Sequence, residues 1–258
     1  MGFNHSKESE IVNRFFCKSE NISENSIIID GQDVNHMKNV LRLKIGEQVM
    51  VNGGNNKDYL CEISDYSETS AILKIIENVE SDRELSSRIY LFQGLPKGDK
   101  MELIIQKCVE LGVHKIIPVS MKRCVVKLDD KKAEAKIKRY QAISESAAKQ
   151  SNRNIIPEIT KVMSFKEAVA YASKLDMAMV PYELAEGMES LRNKLCQIKP
   201  GMDIGIFIGP EGGFDISEIE YAVDNGFETV SLGRRILRTE TAGMTMMSIL
   251  MYHLEVQE

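Results

Sequence analysis

The sequence lacks the residue clusters that hold metals or disulfide frameworks. Its four histidines show no H-x-x-x-H spacing. Its cysteines are odd in number and form no C-x-x-C pair; they are Cys17, Cys61, Cys108, Cys124 and Cys196. We therefore expect reduced thiols and no metal. The G-x-G-x-x-G and G-x-x-x-x-G-K-[ST] patterns are also missing, which argues against the common dinucleotide and phosphate loops.

Long apolar segments are missing as well. No apolar run reaches the roughly 18 residues that suggest a membrane span. The first ten residues, MGFNHSKESE, lack the apolar core of a signal peptide. We therefore expect a cytoplasmic protein without a membrane segment.

Positive charge is not in excess over the whole chain, but it is in one part. Lys and Arg number 33 against 38 Asp and Glu, a net charge of −5, which excludes a uniformly basic nucleic-acid binder. Residues 97–153 hold 14 Lys and Arg against 7 Asp and Glu, so their net charge is 14 − 7 = +7. This segment either faces a polyanion or is a solvated helix surface with ordinary ion pairs, and charge alone slightly favours the second interpretation.

The first 80 residues have the pattern of a small, mostly β unit. Apolar residues recur at helical spacing near 34–41 and predict one helix there. The polar stretch 77–87 is predicted to be a linker. The predicted strands are residues 14–16, 26–29, 48–52, 59–63 and 71–76. Together these elements indicate a β-barrel or sandwich.

From Arg88 onward, strand and helix patterns alternate. The predicted strands are residues 89–93, 115–119, 177–181, 204–208 and 229–232. The predicted helices are residues 100–111, 131–151, 165–173, 188–197, 217–225 and 239–254. Alternation of this kind predicts an α/β fold with a parallel sheet.

The strand at 204–208 ends in a loop that contains Gly209, Gly212 and Gly213. Glycines at the carboxyl end of a strand let the backbone approach a ligand, although a plain turn is their commoner meaning. Ser217 and Glu220 then form an S-x-x-E pattern, which predicts a capped helix start.

The strand at 229–232 is followed by residues 233–238, which contain Arg234, Arg235 and Arg238 and which we call the cationic loop. Charges beside an apolar strand need either partners or an anion. For Arg234 and Arg235 we predict salt bridges, with Glu211, Asp215 and Glu240 as the candidate partners. Arg238 precedes a predicted helix, which Thr239 is expected to cap, and Arg238 is the better candidate for an anion-binding role.

The pairing of these two loops, IGPEGGF and SLGRRILRTETA, resembles that of the ribosomal RNA uracil-N3 methyltransferases, the RsmE family of the SPOUT class. The resemblance covers residues 12–254. Other matching segments are RFF at 14–16, VLR at 40–42, QGLPKGDKME at 93–102, QKCVELGV at 106–113 and QSNR at 150–153. The sequence departs from the family at Lys149, where an acidic residue is expected, and in extra residues before Arg14.

The resemblance implies a fold in two parts. Residues 1–78 correspond to a PUA-like β-barrel that binds RNA, with the first 11 residues disordered. Residues 79–87 correspond to a linker. Residues 88–258 correspond to a SPOUT α/β domain, whose parallel sheet carries a C-terminal trefoil knot.

The resemblance also implies a reaction. The family transfers a methyl group from S-adenosylmethionine to uracil N3 in 16S ribosomal RNA, acts on the small ribosomal subunit and forms homodimers. Two alternatives remain open. One is a SPOUT RNA 2′-O-methyltransferase, since the sequence does not show the acceptor atom. The other is a non-catalytic RNA-binding module, against which the intact loops argue.

Specific residues follow from matching the family motifs to this sequence. Arg238 is expected to stabilise the uracil anion, and Glu240 or Glu211 accepts the N3 proton, unless each is a structural partner instead. The expected cofactor-binding residues are Val180, Pro181, Gly209, Pro210, Glu211, Gly212, Gly213, Leu232, Gly233, Ile236 and Leu237. The expected RNA-binding residues are Arg14, Arg42, Lys97, Lys100, Arg123, Lys127 and Arg153.

Overall fold

The computed structural model describes residues 13–54, 57–80, 83–126, 130–185 and 187–256. The chain divides into two compact units, Met1–Arg83 and Glu84–Glu258, and the division falls inside the stretch predicted to be a linker. The disorder predicted for the first 11 residues lies outside the described residues.

The first unit is built on a five-stranded sheet. Its elements are β1 (Arg14–Phe16), β2 (Ser26–Asp30), helix α1 (Gln32–Asn35), a π-helical turn (His36–Val40), β3 (Gln48–Asn52), β4 (Lys57–Tyr66) and β5 (Ser70–Glu80). The strand order is β1-β3-β4-β5-β2; β1 pairs with β3 in parallel, and the other pairs are antiparallel. Alternate residues such as Ile27, Ile29, Val49 and Val51 form its core.

The predicted linker is in part a strand. β5 continues to Glu80, because the backbone of Glu77 pairs with that of Leu60 and the backbone of Glu80 with that of Lys57. Polar composition indicated a linker here, but ladder hydrogen bonds extend the strand, since its outer face tolerates charged side chains.

The second unit is an α/β fold with an entirely parallel sheet, as predicted. Its elements are β6 (Arg88–Gly94), α2 (Lys100–Glu110), β7 (Lys115–Ser120), α3 (Asp130–Gln150), β8 (Glu158–Ile159), β9 (Met163–Ser164), α4 (Phe165–Ala172), β10 (Met177–Pro181), α5 (Glu189–Leu195), β11 (Asp203–Ile208), α6 (Ile216–Asp224), β12 (Glu228–Val230) and α7 (Thr239–Glu255). The strand order is β12-β10-β11-β6-β7-β8, and β9 also pairs with β7. The two-residue strands β8 and β9 are too short for a periodic signal and were not predicted.

Helices cover both faces of this sheet. Ile89 and Leu91 of β6 pack in the cluster that includes residues of α2, α3 and α7, whereas Tyr90 and Phe92 pack with α4 and α6 on the other face. The rings of Phe92 and Phe207 stack with centroids 4.3 Å apart. Burial on both faces explains why these strands read as continuous apolar runs in the sequence.

Because the strands are parallel, their carboxyl ends meet at one edge of the sheet. β12 ends at Val230, so Ser231 and Leu232, which were predicted to be strand, belong to the loop after it. The threading of the chain into a knot stays a prediction.

Candidate active site

A cavity of about 370 Å³ opens at the carboxyl edge of the parallel sheet. Most of its lining comes from three segments: residues 181–183 at the end of β10, the loop at 209–214 after β11, and residues 231–239 after β12. Ligands of open α/β proteins bind at this edge, because the loops after adjacent strands converge there.

Most of the predicted cofactor-binding residues line this cavity. They are Pro181, Gly209, Pro210, Glu211, Gly213, Leu232, Gly233, Ile236 and Leu237. Val180 does not, because it is a core residue of β10 and only the strand end at Pro181 reaches the cavity. Gly212 does not line it either: a Cβ built on Gly212 lies 3.1 Å from the Cβ of Arg123. The sequence reasoning did not identify Lys100, Tyr182, Phe214 and Thr239 as lining residues.

Contacts from two distant segments hold the loop at 209–213, which we call the glycine loop. Glu211 Oε1 accepts hydrogen bonds from Lys100 Nζ at 2.7 Å and from the Lys97 amide at 3.0 Å. On its other side, Arg123 Nη1 donates to the carbonyl of Gly212 at 3.0 Å. The loop is therefore anchored by residues more than 80 positions away in the sequence.

Two glycines allow close backbone approach at this loop. A Cβ built on Gly94, the last residue of β6, lies 2.7 Å from the backbone nitrogen of Pro210. A Cβ built on Gly209 lies 3.1 Å from the carbonyl carbon of Gly213. Any larger residue at Gly94 would displace the glycine loop.

The environment of Glu211 favours its ionised form. Partial burial raises the pKa of its carboxyl group, but the hydrogen bonds from Lys100 and from the Lys97 amide outweigh that effect, so the pKa lies below its ordinary value. The hydrogen bonds that Glu211 accepts from Lys100 and the Lys97 amide therefore anchor the loop at neutral pH. They weaken only as the pH falls through this lowered pKa. A carboxylate held in this way is a weak proton acceptor.

The helix after the glycine loop is capped differently from the prediction. Asp215, not Ser217, is the N-cap of α6, and its side chain accepts from the Ser217 amide at 3.3 Å. Glu218 Oε2 accepts from the Asp215 amide at 3.0 Å and completes a capping box. The sequence contains two overlapping capping patterns, Asp215 with Glu218 and Ser217 with Glu220, and the helix begins at the first of them.

Arg238 stands at the rim of the cavity as the N-cap residue of α7. Its side chain makes no ion pair with any carboxylate of the described residues. The salt bridges expected for Arg234 and Arg235 do not form within that part of the chain either: Glu211 pairs with Lys100, and Asp215 with Lys122 and Arg123. All three arginine side chains are exposed, so the cationic loop can offer its charge to an anion.

Thr239 is not the cap of α7 but its first residue. Its hydroxyl donates to the carbonyl of Gly209 at 2.6 Å and accepts from Gln93 Nε2 at 2.8 Å. Glu240 follows in the first turn, and its Oε2 is buried without a hydrogen-bond partner among the described residues. Gln93 and Thr239 both lie in segments that match the family, but their hydrogen bond to each other could not be predicted, because a buried polar residue is paired only by the fold.

Two of the residues predicted to bind RNA, Arg14 and Arg153, form ion pairs within the protein. Arg153 is 3% exposed; it pairs with Glu84 and donates to the carbonyls of Val109 and Val113. Arg14 is largely buried and pairs with Asp58. Each guanidinium group is largely buried and pairs with a carboxylate of its own unit, which does not favour contact with RNA, so RNA binding by these two residues stays a prediction.

The remaining predicted RNA-binding residues have different surroundings. Arg123 and Lys100 hold the glycine loop, as described above. Arg42 is exposed, with a backbone φ of 55° between the π-helical turn and β3, and Lys97 is exposed beside the cavity. Lys127 lies outside the described residues.

The first half of α3 carries a run of cations that the predicted list omitted. They are Lys131, Lys132, Lys136, Lys138 and Arg139, and all but Lys136 are exposed. The i, i+4, i+7 spacing of Lys132, Lys136 and Arg139 puts these three on one side of the helix. That spacing is visible in the sequence and could have identified this surface.

Within the described ranges, no group of three or more His, Cys, Asp or Glu side chains is placed to hold a metal ion. No helix in the same part of the chain is long and apolar enough to cross a membrane.

Comparison with known families defines the class of protein. Residues 83–251 match the family model of an RNA methyltransferase domain, and residues 29–76 match that of an RNA methyltransferase PUA domain. These matches confirm the predicted order of a PUA-like unit followed by a methyltransferase unit.

Individual relatives narrow the class to one family. The chain is 38% identical to ribosomal RNA small subunit methyltransferase E of Bacillus subtilis over 231 residues, covering 88% of this chain and 90% of the relative. It is 33% identical to the enzyme of the same name from Mesomycoplasma hyopneumoniae, covering 91% and 97%. A crystal structure of that enzyme from Neisseria gonorrhoeae, bound to S-adenosyl methionine, matches with a TM-score of 0.79 and 30% identity over 93% of this chain and 97% of the other. The chain belongs to the ribosomal RNA small subunit methyltransferase E family.

Proposed function

We propose that this protein transfers the methyl group of S-adenosylmethionine to N3 of a uracil in 16S ribosomal RNA of the small ribosomal subunit. The observation that carries the proposal is the cavity formed by the glycine loop and the cationic loop, with Arg238 at its rim. The relatives' shared name supports ribosomal RNA as the substrate. The choice of uracil N3 rests on the resemblance of the two loop motifs. A cytoplasmic location remains a prediction.

The residues of the cavity fit S-adenosylmethionine. Gly209, Gly213 and Gly233 expose backbone that a larger side chain would cover, and Ile208 and Leu237 offer apolar surface. The volume of about 370 Å³ lies within the usual range for sites that take small ligands. When bound, the cofactor supplies an already activated methyl group, so the protein has mainly to align the acceptor with it.

Arg238 fits the role of stabilising the acceptor. Uracil N3 becomes nucleophilic as its proton leaves, and negative charge then develops on the neighbouring carbonyl oxygens. A guanidinium group that no carboxylate of the described residues neutralises can donate to those oxygens. Its place next to the cavity puts that charge where the acceptor must enter.

The two candidate bases differ in their surroundings. Glu211 is engaged by Lys100 and the Lys97 amide, and its lowered pKa makes it a poor proton acceptor. Glu240 Oε2 has no hydrogen-bond partner among the described residues. Glu240 is not itself a lining residue, but it lies in the first turn of α7 between the lining residues Thr239 and Ala242. We therefore assign the proton-accepting role to Glu240 and a loop-holding role to Glu211.

The function is tested by nucleoside analysis of the product. The purified protein is incubated with S-adenosylmethionine and either free 16S ribosomal RNA or small subunits that lack the modification, and the RNA is digested and analysed by chromatography and mass spectrometry. 3-Methyluridine is the expected product. A 2′-O-methylated nucleoside would establish the alternative acceptor, and binding of RNA without any methylated product would establish a non-catalytic module.

The RNA surface is expected to include α3. Each phosphate contact with single-stranded RNA contributes about 0.7 to the slope of log affinity against log salt concentration. Replacing Lys131 and Lys138 with alanine should therefore lower that slope by about 1.4 in filter-binding titrations. The matched control replaces Lys161 and Lys166, which lie before and within α4 on the opposite face of the sheet, and should leave the slope unchanged. If both double variants have the same slope, the cations of α3 form an ordinary solvated helix surface and do not contact RNA.

The homodimer is proposed from the outer face of α7. A groove there is lined by Leu195, Thr241, Met244, Thr245, Ser248, Ile249, Tyr252 and His253, and Tyr252 is 68% exposed. The other apolar lining residues, Leu195, Met244 and Ile249, are half-buried, and a partly exposed apolar groove of this kind is typical of an interface. Analytical ultracentrifugation should give twice the chain mass of 29.1 kDa for the wild type and the chain mass for Ile249→Asp. A monomeric wild type would contradict this proposal.

A further inference from the structure

A buried amide joins both loops of the cavity to the middle of the parallel sheet. Gln93 lies near the end of β6 and is as fully buried as the apolar core residues Leu91 and Phe92 before it. A polar side chain at such a position needs an explanation. Its Nε2 donates to Thr239 Oγ1, which donates in turn to the carbonyl of Gly209. Three segments far apart in the sequence thereby meet at one hydrogen-bonded point.

The direction of these hydrogen bonds follows from the chemistry of the groups. A threonine hydroxyl has one proton, which here goes to the carbonyl of Gly209, a group that can only accept. Thr239 Oγ1 must then accept from Gln93, so the amide turns its NH₂ group toward it. The other proton of that NH₂ group goes to the carbonyl of Gly94 at 3.0 Å. Both donors of Gln93 are used.

Packing does not explain an amide at this position. Gln93 Oε1 is buried without a hydrogen-bond partner among the described residues, which disfavours burial of the side chain. An unbranched apolar side chain would occupy a similar volume without that cost. The amide is therefore explained by the two hydrogen bonds that its NH₂ group donates.

The hydrogen bond to Thr239 acts directly on the site. Thr239 stands between Arg238 and Glu240, the two residues to which chemistry is assigned. Because Arg238 is the N-cap of α7, the path of its side chain depends on where Thr239 is anchored. Gly209 begins the glycine loop. A displacement of Thr239 would therefore move the guanidinium group relative to the cofactor-binding loop.

We propose that Gln93 is a positioning residue for methyl transfer: acting through Thr239, it fixes the position of Arg238 relative to the glycine loop. Gln93 is fully buried, lies outside the cavity lining and donates both protons of its NH₂ group within the protein, so it acts without touching the reacting groups. This inference rests on the proposed function.

The proposal is tested by removing each half of the hydrogen-bonded chain. Gln93→Met removes the donor at similar volume, and Thr239→Val removes the hydroxyl at similar shape. Each variant should lower the single-turnover rate constant at saturating S-adenosylmethionine and RNA by about 100-fold, since small misplacements of reacting groups have effects of this size. The Kd values of both ligands should change far less. Thr239→Ser keeps the hydroxyl and should recover most of the rate that Thr239→Val loses.

A double-mutant cycle and a control separate positioning from stability. The double variant Gln93→Met/Thr239→Val should be no slower than the slower single variant, because one chain is broken in each. Ser144→Ala removes another buried side-chain hydrogen bond, 2.7 Å to the carbonyl of Pro157, from a residue that does not line the cavity. It should lower thermal stability and leave the rate unchanged.

Two results would overturn the proposal. One is a Gln93→Met variant that behaves like Ser144→Ala, with lowered stability and a wild-type rate. The other is an additive loss in the double variant. Both differ from failure of the proposed function, in which the wild type itself forms no 3-methyluridine and the positioning proposal falls with it.

Discussion

Arg238→Ala should lower the single-turnover rate of methyl transfer by about 10²–10³-fold, which corresponds to about 2.7–4 kcal/mol of lost transition-state stabilisation. The reason is that Arg238 lies at the rim of the cavity with its charge unneutralised by the described residues, so it meets negative charge only when the uracil anion develops. Its removal should weaken the binding of S-adenosylmethionine and RNA much less. The measurement is a rate at saturating concentrations of both, together with the two Kd values.

Companion variants distinguish this role from simple charge attraction. Arg238→Lys should restore the rate only in part, because one ammonium group does not reproduce the planar fork of the guanidinium. Arg234→Ala removes a neighbouring exposed arginine that does not line the cavity and is the matched control. If Arg238→Ala transferred methyl groups at the wild-type rate, the anion would have to be stabilised by Arg235, which also lines the cavity, by backbone N–H groups of the glycine loop, or by a second copy of the chain.

Glu240→Gln tests the assigned base. If Glu240 accepts the N3 proton, the rate of the variant should fall at neutral pH, and the deficit should shrink as the pH rises, because uracil then loses the proton to solvent. Glu211→Gln is the contrasting variant: it should weaken cofactor binding through the glycine loop without producing that pH dependence. The same pH profile for Glu240→Gln and the wild type would contradict the assignment.

Arg153→Ala should lower the free energy of unfolding by about 3–5 kcal/mol, since it leaves the carboxylate of Glu84 partly buried without its cation. The variant also loses the hydrogen bonds that Arg153 donates to the carbonyls of Val109 and Val113. For a domain of this size the melting temperature should fall by roughly 10 °C. Urea and thermal unfolding measure both quantities.

A double variant checks the cause. Arg153→Met with Glu84→Gln removes both charges and should be less destabilised than Arg153→Ala, because no ionised group is left without a partner. Arg42→Ala removes an exposed arginine and should leave stability unchanged. A stable Arg153→Ala variant with a reduced salt dependence of RNA binding would instead support the sequence-based prediction that Arg153 contacts RNA.

The cases of Arg153 and Arg238 show where sequence reasoning reaches its limit. Both are arginines near element boundaries in matching motifs, and both were predicted to face a ligand. One is buried against Glu84, and the other is exposed at the cavity. The motif places the residue along the chain, but the direction of its side chain depends on neighbours that the motif does not contain.

Helix capping shows the same limit on a smaller scale. The start of α6 could be predicted to within a residue or two, because the apolar period of a helix is local. The choice of Asp215 over Ser217 as the cap could not, since Asp215 also meets Lys122 and Arg123 from another part of the chain. A cap is selected by the whole set of its contacts.

By itself, the sequence determined the order and type of the main elements, the parallel sheet, and the two loops that form the cavity. These features follow from local hydrophobic periodicity and from glycine positions, which are properties of short segments. Only the tertiary structure decided which polar groups work together: Arg153 with Glu84, 69 positions apart, Arg123 with Gly212, 89 apart, and Gln93 with Thr239, 146 apart. Such pairings depend on which groups the fold brings within hydrogen-bonding distance, and no local pattern encodes the partner. The two pairings that are buried also satisfy groups that would otherwise lose their hydrogen bonds to water.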